Sequence, residues 1–255
     1  FSLRLTPVIT SVFFIIFGLP AVLFLKERRG PSGSAREGGL ITGSYARVFR
    51  TLKEIRHYKD LFVFLSAFFF YSAGTSVIIS FAAIFAETTF GFGKGDLIFL
   101  IIIVNFVAAA GALIFGYVQD LTGCKRSLLI TLGIWISAVL TIMFSDSENA
   151  FWGASFLVGI AMGSSQSVSR SLVGLFTPPD REAEFYGFWG LSGKLASAFG
   201  VFGFGAVSYI TGNQKSALFV TAIFFAAGAV ILFQVDEKRG RRAAKTGNDL
   251  NVSYL

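Results

Sequence analysis

The sequence predicts an all-α integral membrane protein, and three observations lead to that prediction. Apolar residues make up 54% of the chain, charged residues only 15%, and Phe alone occurs 31 times, which is unlike the composition of soluble globular domains. Seven hydrophobic stretches each provide the roughly 20 helical residues that cross a hydrocarbon core. No soluble domain is left between them. The stretches are 3–25, 60–86, 96–118, 127–145, 150–176, 184–211 and 216–235.

The chain begins with a span and a polar connector. Residues 1–25 lack the cationic leader and small-residue cleavage site of a signal peptide, so we predict an internal helix. Residues 26–59 open with a Gly/Ser-rich, charged run that is typical of a flexible cytoplasmic linker. Their second half predicts an amphipathic helix on the membrane surface, the alternative being a solvated connector. The apolar face of that helix carries Val48, Phe49, Leu52 and Ile55.

The other six spans predict a helical bundle over residues 60–235, followed by a basic tail over residues 236–255. Seventeen Lys and Arg residues fall on one side of the predicted membrane and three on the other, and cytoplasmic loops are the ones that retain such residues. The C-terminus is therefore predicted to be cytoplasmic. The net charge of +7 then reflects topology and contact with anionic lipid headgroups, and not nucleic acid. Seven spans place Phe1 outside, and because Phe1 is not an initiator Met we expect a fragment.

Several chemistries are excluded by the residues available. The single His57 and the single Cys124 provide no metal cluster, disulfide or His-based triad. Every Asp of the bundle lies at a span end, whereas an intramembrane aspartyl protease needs a pair within the spans. A retinal protein would need a Lys in its last span, and the last span has none. We predict a protein that is not an enzyme and has no catalytic residue, metal or cofactor.

Two permanent charges lie inside predicted spans, Arg170 and Lys194. A charge at the bilayer centre costs about 2.5–3.5 kcal/mol, so it faces protein or water and marks a functional site by default. Lys194 lies about ten residues, or roughly 15 Å, from the cytoplasmic end of its span, which is beyond the reach of a snorkelling side chain. Arg170 is expected either to contact a substrate or to pair with Glu184.

Both deep charges are cations, and no deep carboxylate accompanies them. A buried cationic cavity favours a substrate with an anionic group, such as an amino-acid carboxylate or another organic anion. Neutral polar residues within the spans are further candidates for the lining of that cavity, although hydrogen bonds between helices are the alternative for about half of them. These candidates are Tyr71, Ser72, Thr75, Asn105, Gln166, Ser167 and Ser192.

The turn between the third and fourth stretches reads GYVQDLTGCKRS, and its G-x-x-x-D-x-x-G-x-K-R pattern resembles the loop motif of the major facilitator superfamily. The resemblance implies a conformational latch that holds one face of a transporter closed. An ordinary turn rich in Lys and Arg is the alternative, and Leu121 stands where many members carry Arg. The residues of the motif are Gly116, Asp120, Gly123, Lys125 and Arg126.

A longer match lies in residues 166–194, where QSVSRSL is followed by EFYGFWGLSGK. These runs resemble the autophagy-related protein 22-like branch of the same superfamily, which comprises vacuolar amino-acid effluxers and their bacterial relatives. One departure is Ala73, at a position where an acidic residue is expected. The resemblance implies the major facilitator fold, with the seven spans as helices six to twelve of twelve and residues 1–25 as the last helix of the missing N-terminal bundle.

The resemblance also implies function. A secondary transporter would move amino acids or another anion-bearing metabolite by alternating access, with a small-molecule substrate, an anionic bilayer and the missing helices as its partners. A bacterial inner membrane is the favoured location, and a vacuolar membrane the expectation for a eukaryotic source. The competing hypothesis is a non-transporting scaffold or lipid-handling protein, in which Arg170 and Lys194 only lock helices together.

Overall fold

The computed structural model describes residues 5–24, 58–145, 147–179 and 181–252, and the chain divides into two compact units, Phe1–Ser44 and Tyr45–Leu255. In the first unit, α1 spans Thr6–Phe24 and contains Pro20. It coincides with the first predicted span. The amphipathic helix predicted within residues 26–59 falls almost entirely outside the described residues.

The described part of the second unit consists of helices and short turns. Six long helices occupy the positions of the six predicted spans, and a seventh follows them in the predicted tail. The helices are α2 (Lys59–Phe90), α3 (Lys94–Thr122), α4 (Cys124–Phe144), α5 (Glu148–Phe176), α6 (Glu182–Thr211), α7 (Gln214–Phe233) and α8 (Glu237–Val252).

Within the part of the chain that the structure describes, five helices are long and apolar enough to cross a membrane: α2, α3, α4, α6 and Lys215–Phe233 of α7. The sequence thus predicted seven spans, whereas five of the described helices meet the criteria of length and apolarity. The α5 helix has the length but not the apolarity, because its second half reads GSSQSVSRSL. In α1 the apolar segment is short, Pro7–Pro20. Both helices nevertheless form where the sequence predicted them.

Packing within the second unit follows an internal repeat. The α2 helix packs mainly on α6 and α7, the α5 helix packs mainly on α3 and α4, and α4 contacts α7. Exchange of α2–α4 with α5–α7 leaves this pattern unchanged. Because each half contains three antiparallel helices, the two halves run in opposite directions, which is the inverted-topology repeat found in many transporter folds.

The core of the bundle is aromatic where α2, α4 and α7 meet. The fully buried Trp135 stacks on the fully buried Phe225 with ring centroids 5.0 Å apart. A Cβ added at Gly74 would lie 3.0 Å from the Phe225 ring, so a glycine at this position lets the stacked pair lie against α2. Large side chains thus fill this side of the bundle, and glycine provides the room for them.

The contact between α3 and α5 is close because small residues face each other along it. A Cβ added at Gly163 would overlap the backbone oxygen of Ala108, and one at Gly111 would lie 2.7 Å from the backbone oxygen of Ile160. Only residues without a side chain allow backbones to approach so closely. The α3 and α5 helices are therefore closely packed, and this packing determines how far the polar residues of α5 lie from α3.

Candidate functional site

A polar cleft of about 580 Å³ lies between α3 and α5. Gln166 and Arg170 lie one helical turn apart and so share one face of α5, and Asn105 faces them from α3. Small residues of α3, Ala108, Ala109 and Ala112, leave the space that these polar groups line. The structure thus brings together four of the residues that the sequence singled out, Asn105, Gln166, Ser167 and Arg170.

The Arg170 guanidinium is held by an aromatic residue of the next helix. Its central carbon lies 5.8 Å from the centroid of the Trp189 ring, within the range of a cation–π contact. The Tyr186 hydroxyl donates to the Arg170 carbonyl oxygen at 3.3 Å. Arg170 is exposed, and within the described residues it does not pair with Glu184. Its guanidinium donors therefore remain available to a ligand in the cleft.

Trp189 is itself fixed in place by packing. Its ring lies against the Phe68 ring, with centroids 5.2 Å apart. The indole Nε1 is buried and finds no hydrogen-bond partner among the described residues. Trp189 was not selected from the sequence, although it lies within the motif EFYGFWGLSGK, between Glu184 and Lys194. A buried donor without a partner adjoins the one cation of the cleft.

Lys194 lies apart from this cleft. It is twelve residues into α6 from Glu182, which corresponds to a depth of about 18 Å along the helix. Its side chain is exposed and forms no ion pair or hydrogen bond with another described residue. One turn earlier, a Cβ added at Gly190 would meet nothing within 4 Å. Lys194 therefore stands on a face of α6 that the described bundle leaves uncovered.

Three other candidates form hydrogen bonds within the bundle. Tyr71, only 2% exposed, contacts the hydroxyl of Ser169 at 2.6 Å. Thr75 donates to the Tyr71 carbonyl oxygen at 3.0 Å, and Ser192 donates to the Leu65 carbonyl oxygen at 3.4 Å. Tyr71 and Ser192 therefore connect helices, as the alternative in the sequence analysis allowed, whereas Thr75 bonds within its own helix, α2.

The Tyr71 contact continues into a buried chain of hydrogen bonds. The Ser169 hydroxyl donates to the Ser165 carbonyl oxygen, so it accepts the proton of Tyr71. The Trp135 indole donates to the Ser165 hydroxyl at 3.4 Å. This chain joins α2, α5 and α4 directly behind the cleft. Ser165 and Ser169 were not selected from the sequence, and their spacing of four residues was the available signal.

An apolar cavity of about 400 Å³ adjoins the polar cleft, and Asn105 and Met162 line both. Its other walls come from all six long helices of the bundle. They include Val77, Phe85, Leu100, Val158, Phe204 and Leu218. Sequence analysis could not find this cavity, because it arises where α2 and α3 have few direct contacts, and no local pattern specifies such a gap.

The predicted latch forms the turn between α3 and α4. Gly123 adopts φ +87°, a left-handed conformation that favours glycine. Lys125 donates from Nζ to the Phe233 carbonyl oxygen at 2.8 Å, and its backbone N–H donates to Glu237 Oε2 at 3.1 Å. Asp120 and Arg126 are exposed and form no ion pair with described residues. The turn is thus attached to the end of α7 and the start of α8.

The α8 helix is docked to the bundle by a buried carboxylate. Asp60, 3% exposed, accepts bonds from Arg239 Nε at 2.7 Å and Nη2 at 2.8 Å, and from the Asp236 N–H at 2.8 Å. Asp236 in turn caps α8, and the N–H groups of Arg239 and Lys238 lower the pKa of its carboxyl. The sequence analysis assigned no structure to this segment. It is a helix fixed on α2 and on the α3–α4 turn.

Together, the spanning helices and the inverted repeat define a multi-pass membrane protein with the fold of the major facilitator superfamily. A solved structure with this fold is that of a bacterial homologue of the human lysosomal transporter Spinster, in an inward-facing, unoccupied conformation. The TM-score is 0.51 at 16% identity, over 95% of this chain and 59% of that chain. The predicted fold class is confirmed.

The chain belongs to the family described as vacuole effluxer Atg22 like, whose model matches residues 1–245. It is 29% identical to the uncharacterized MFS-type transporter YxiO of Bacillus subtilis, over 95% of this chain and 56% of the relative. It is 27% identical to autophagy-related protein 22-1 of Neosartorya fischeri, over 96% of this chain and 44% of the relative. The resemblance drawn from residues 166–194 is confirmed, and the chain spans about half the length of these relatives.

Proposed function

We propose that this chain is the solute-binding half of a secondary transporter that moves a small metabolite with an anionic group, amino acids foremost. The observation that carries the proposal is the polar cleft between α3 and α5. Among the described residues, one guanidinium lines it and no carboxylate does. The family description, vacuole effluxer, supports the same class of activity.

The charge of the cleft supports an anionic substrate. Arg170 presents planar N–H donors that match a carboxylate in a bidentate arrangement, and its described contacts, to the Trp189 ring and from Tyr186, use none of these donors. Gln166 and Asn105 add amide groups that orient a small polar ligand. A cation without an ion-pair partner among the described residues is stabilised by a ligand of opposite charge.

Lys194 is proposed as a second substrate contact. It lies on an uncovered face of α6, and we propose that the helices which the longer relatives possess, and which this chain does not span, cover that face. In this arrangement the two bundles rock about a site near the bilayer midplane, with residues 26–59 as the linker between them. The loops rich in Lys and Arg, and the C-terminus with them, are proposed to be cytoplasmic, with a bacterial inner membrane favoured.

Flux measurements with matched variants test the proposal. Proteoliposomes containing the longest open reading frame that includes this chain would be assayed with a panel of labelled amino acids and short carboxylates. Lys194→Ala is expected to abolish flux while folded protein remains in the membrane, because a substrate contact is lost. Lys94→Ala, an exposed cation at the start of α3, is the control and is expected to retain flux.

Normal flux in the Lys194→Ala variant would show that Lys194 is not a substrate contact. Absence of flux for every solute, with well-folded wild-type protein, would favour the competing hypothesis of a scaffold. The contact of Arg170 with Trp189 would then serve only to lock α5 against α6.

A further inference from the structure

The apolar cavity beside the polar cleft has the properties of a ligand site. Asn105 and Met162 line both spaces, so the cleft and the cavity lie side by side. Ligand pockets measure about 300–1,000 Å³ and combine apolar walls with a few polar groups. The cavity, at about 400 Å³, meets the size criterion, and the adjoining cleft provides the polar groups.

Water is a poor occupant of this cavity. A buried water needs about two to four polar partners, but the described residues contribute only two polar side chains to the lining, Asn105 and Ser155. The Ser155 hydroxyl donates to the Phe151 carbonyl oxygen of its own helix at 2.8 Å, and the Asn105 amide donates to the Ile101 carbonyl oxygen at 2.9 Å. The remaining walls are hydrocarbon, sulfur and aromatic rings, which favour an apolar occupant.

The volume of the cavity sets the size of that occupant. An apolar cavity of about 150 Å³ already takes up benzene, and this cavity is more than twice as large. Access is available where its walls reach the surface of the bundle. Ile79 of α2 is 56% exposed and Ile101 of α3 is 54% exposed, and both belong to the lining.

We propose that the substrate of this protein is an amphipathic organic anion. Its anionic group binds in the polar cleft beside Arg170 and Gln166, and its apolar body, larger than a single benzene ring, fills the cavity between α2, α3 and α5. Asn105 lies where the two parts of the ligand join. The inference rests on the proposed function, since it takes the polar cleft as the solute site.

Binding of a graded series of carboxylates tests the inference. The whole chain in lipid nanodiscs would be titrated with acetate, benzoate, 2-naphthoate and the uncharged 2-naphthamide, with empty nanodiscs as the reference for partition into lipid. Affinity is expected to rise from acetate to benzoate to 2-naphthoate, by about tenfold at the last step for the added apolar contact. The uncharged amide is expected to bind at least about tenfold more weakly than 2-naphthoate, because it lacks the charge that Arg170 recognises.

Two variants test whether the apolar body of the ligand binds in the cavity. Ala82→Phe fills part of it, and Ile79→Trp narrows its exposed edge with little risk to folding, since Ile79 is exposed. Both are expected to reduce the affinity for 2-naphthoate by about tenfold and to leave acetate binding unchanged. Ala110→Phe, at an exposed position of α3 outside both linings, is the control and is expected to bind like wild type.

The failure of this inference is distinct from the failure of the proposed function. Equal affinities for acetate and 2-naphthoate, or binding of amino acids without binding of 2-naphthoate, would overturn the inference and leave an anion site in place. Equal affinities for the naphthoate and the amide would also overturn it, because the charge would then have no role. If no carboxylate or amino acid bound at all, the proposed function would fail together with the inference.

Discussion

The ion pair between Asp60 and Arg239 predicts an asymmetry between two substitutions that break the same contact. The Asp60 side chain is 3% exposed, whereas that of Arg239 is 53% exposed. Arg239→Ala leaves a buried carboxylate with one fewer partner, and Asp60→Asn leaves a guanidinium that water can solvate. The cost of an unpaired buried charge exceeds the cost of an exposed one.

The magnitudes follow from the bonds that each change removes. Hydrogen bonds to charged groups contribute about 1.5–3 kcal/mol each, and the exposure of Arg239 reduces that value through solvent screening. We expect Arg239→Ala to lower the free energy of unfolding by about 2–4 kcal/mol. Asp60→Asn is expected to lower it by about 1–2 kcal/mol, since the Asn oxygen still accepts the Asp236 N–H.

Two measurements on the chain in nanodiscs check this prediction. Denaturant titration gives the free energies of unfolding for the two single variants and the double variant, and amide hydrogen exchange reports whether α8 stays docked. Protection of α8 amides is expected to fall in both single variants, and further in Arg239→Ala. The reasoning is refuted if Asp60→Asn is the more destabilising change, or if α8 exchange is unaffected by either.

Two further predictions concern helix packing. Gly163→Ala is expected to destabilise the bundle by about 2 kcal/mol or more, since the added Cβ would overlap the Ala108 oxygen. Gly187→Ala has open space around the added Cβ and is expected to be neutral or stabilising by up to about 1 kcal/mol. Unfolding titrations of the two variants measure the difference. Tyr71→Phe removes the hydrogen bond to Ser169 and is expected to lower the free energy of unfolding by about 0.5–1.5 kcal/mol. The affinity for anions is expected to stay unchanged. A clear loss of anion binding would instead place the hydroxyl of Tyr71 in the solute site.

Helix positions and family were accessible from the sequence because both depend on local patterns. Hydrophobic length located every long helix of the bundle, and the motif around Arg170 identified the family. Deep polar residues also pointed toward the cleft, as Asn105, Gln166 and Arg170 show. The sequence could not distinguish these residues from Tyr71, which also lies well inside its helix but bonds to Ser169. The difference between them is which neighbouring helix each side chain faces, and no local pattern shows that.

Features that depend on distant parts of the chain were missed. The partners Asp60 and Arg239 are 179 residues apart, and nothing near either residue indicates the other. The basic composition of the tail obscured its helix, because the same Lys and Arg residues satisfy the positive-inside rule without any structure. The apolar cavity was missed for a related reason. It is a gap lined by residues of six helices that are far apart in the sequence.

The central claim is that the polar cleft beside Arg170 is the solute site, and thiol labelling tests it most directly. The single cysteine, Cys124, is buried, so a Cys124→Ser background with Gln166→Cys places one reactive thiol in the cleft. An anionic methanethiosulfonate reagent would be applied with and without saturating benzoate or a mixture of the standard amino acids, with choline chloride as the salt control. Lys94→Cys, at an exposed position where α3 begins and outside both linings, is the matched control.

The account predicts that benzoate or the amino acids slow labelling at position 166 by about tenfold or more, as expected when bound ligand occupies nearly all sites, and leave labelling at position 94 unchanged. Equal labelling rates with and without these solutes at position 166, in protein that is otherwise folded, would contradict the claim. The cation of the cleft would then have a structural role.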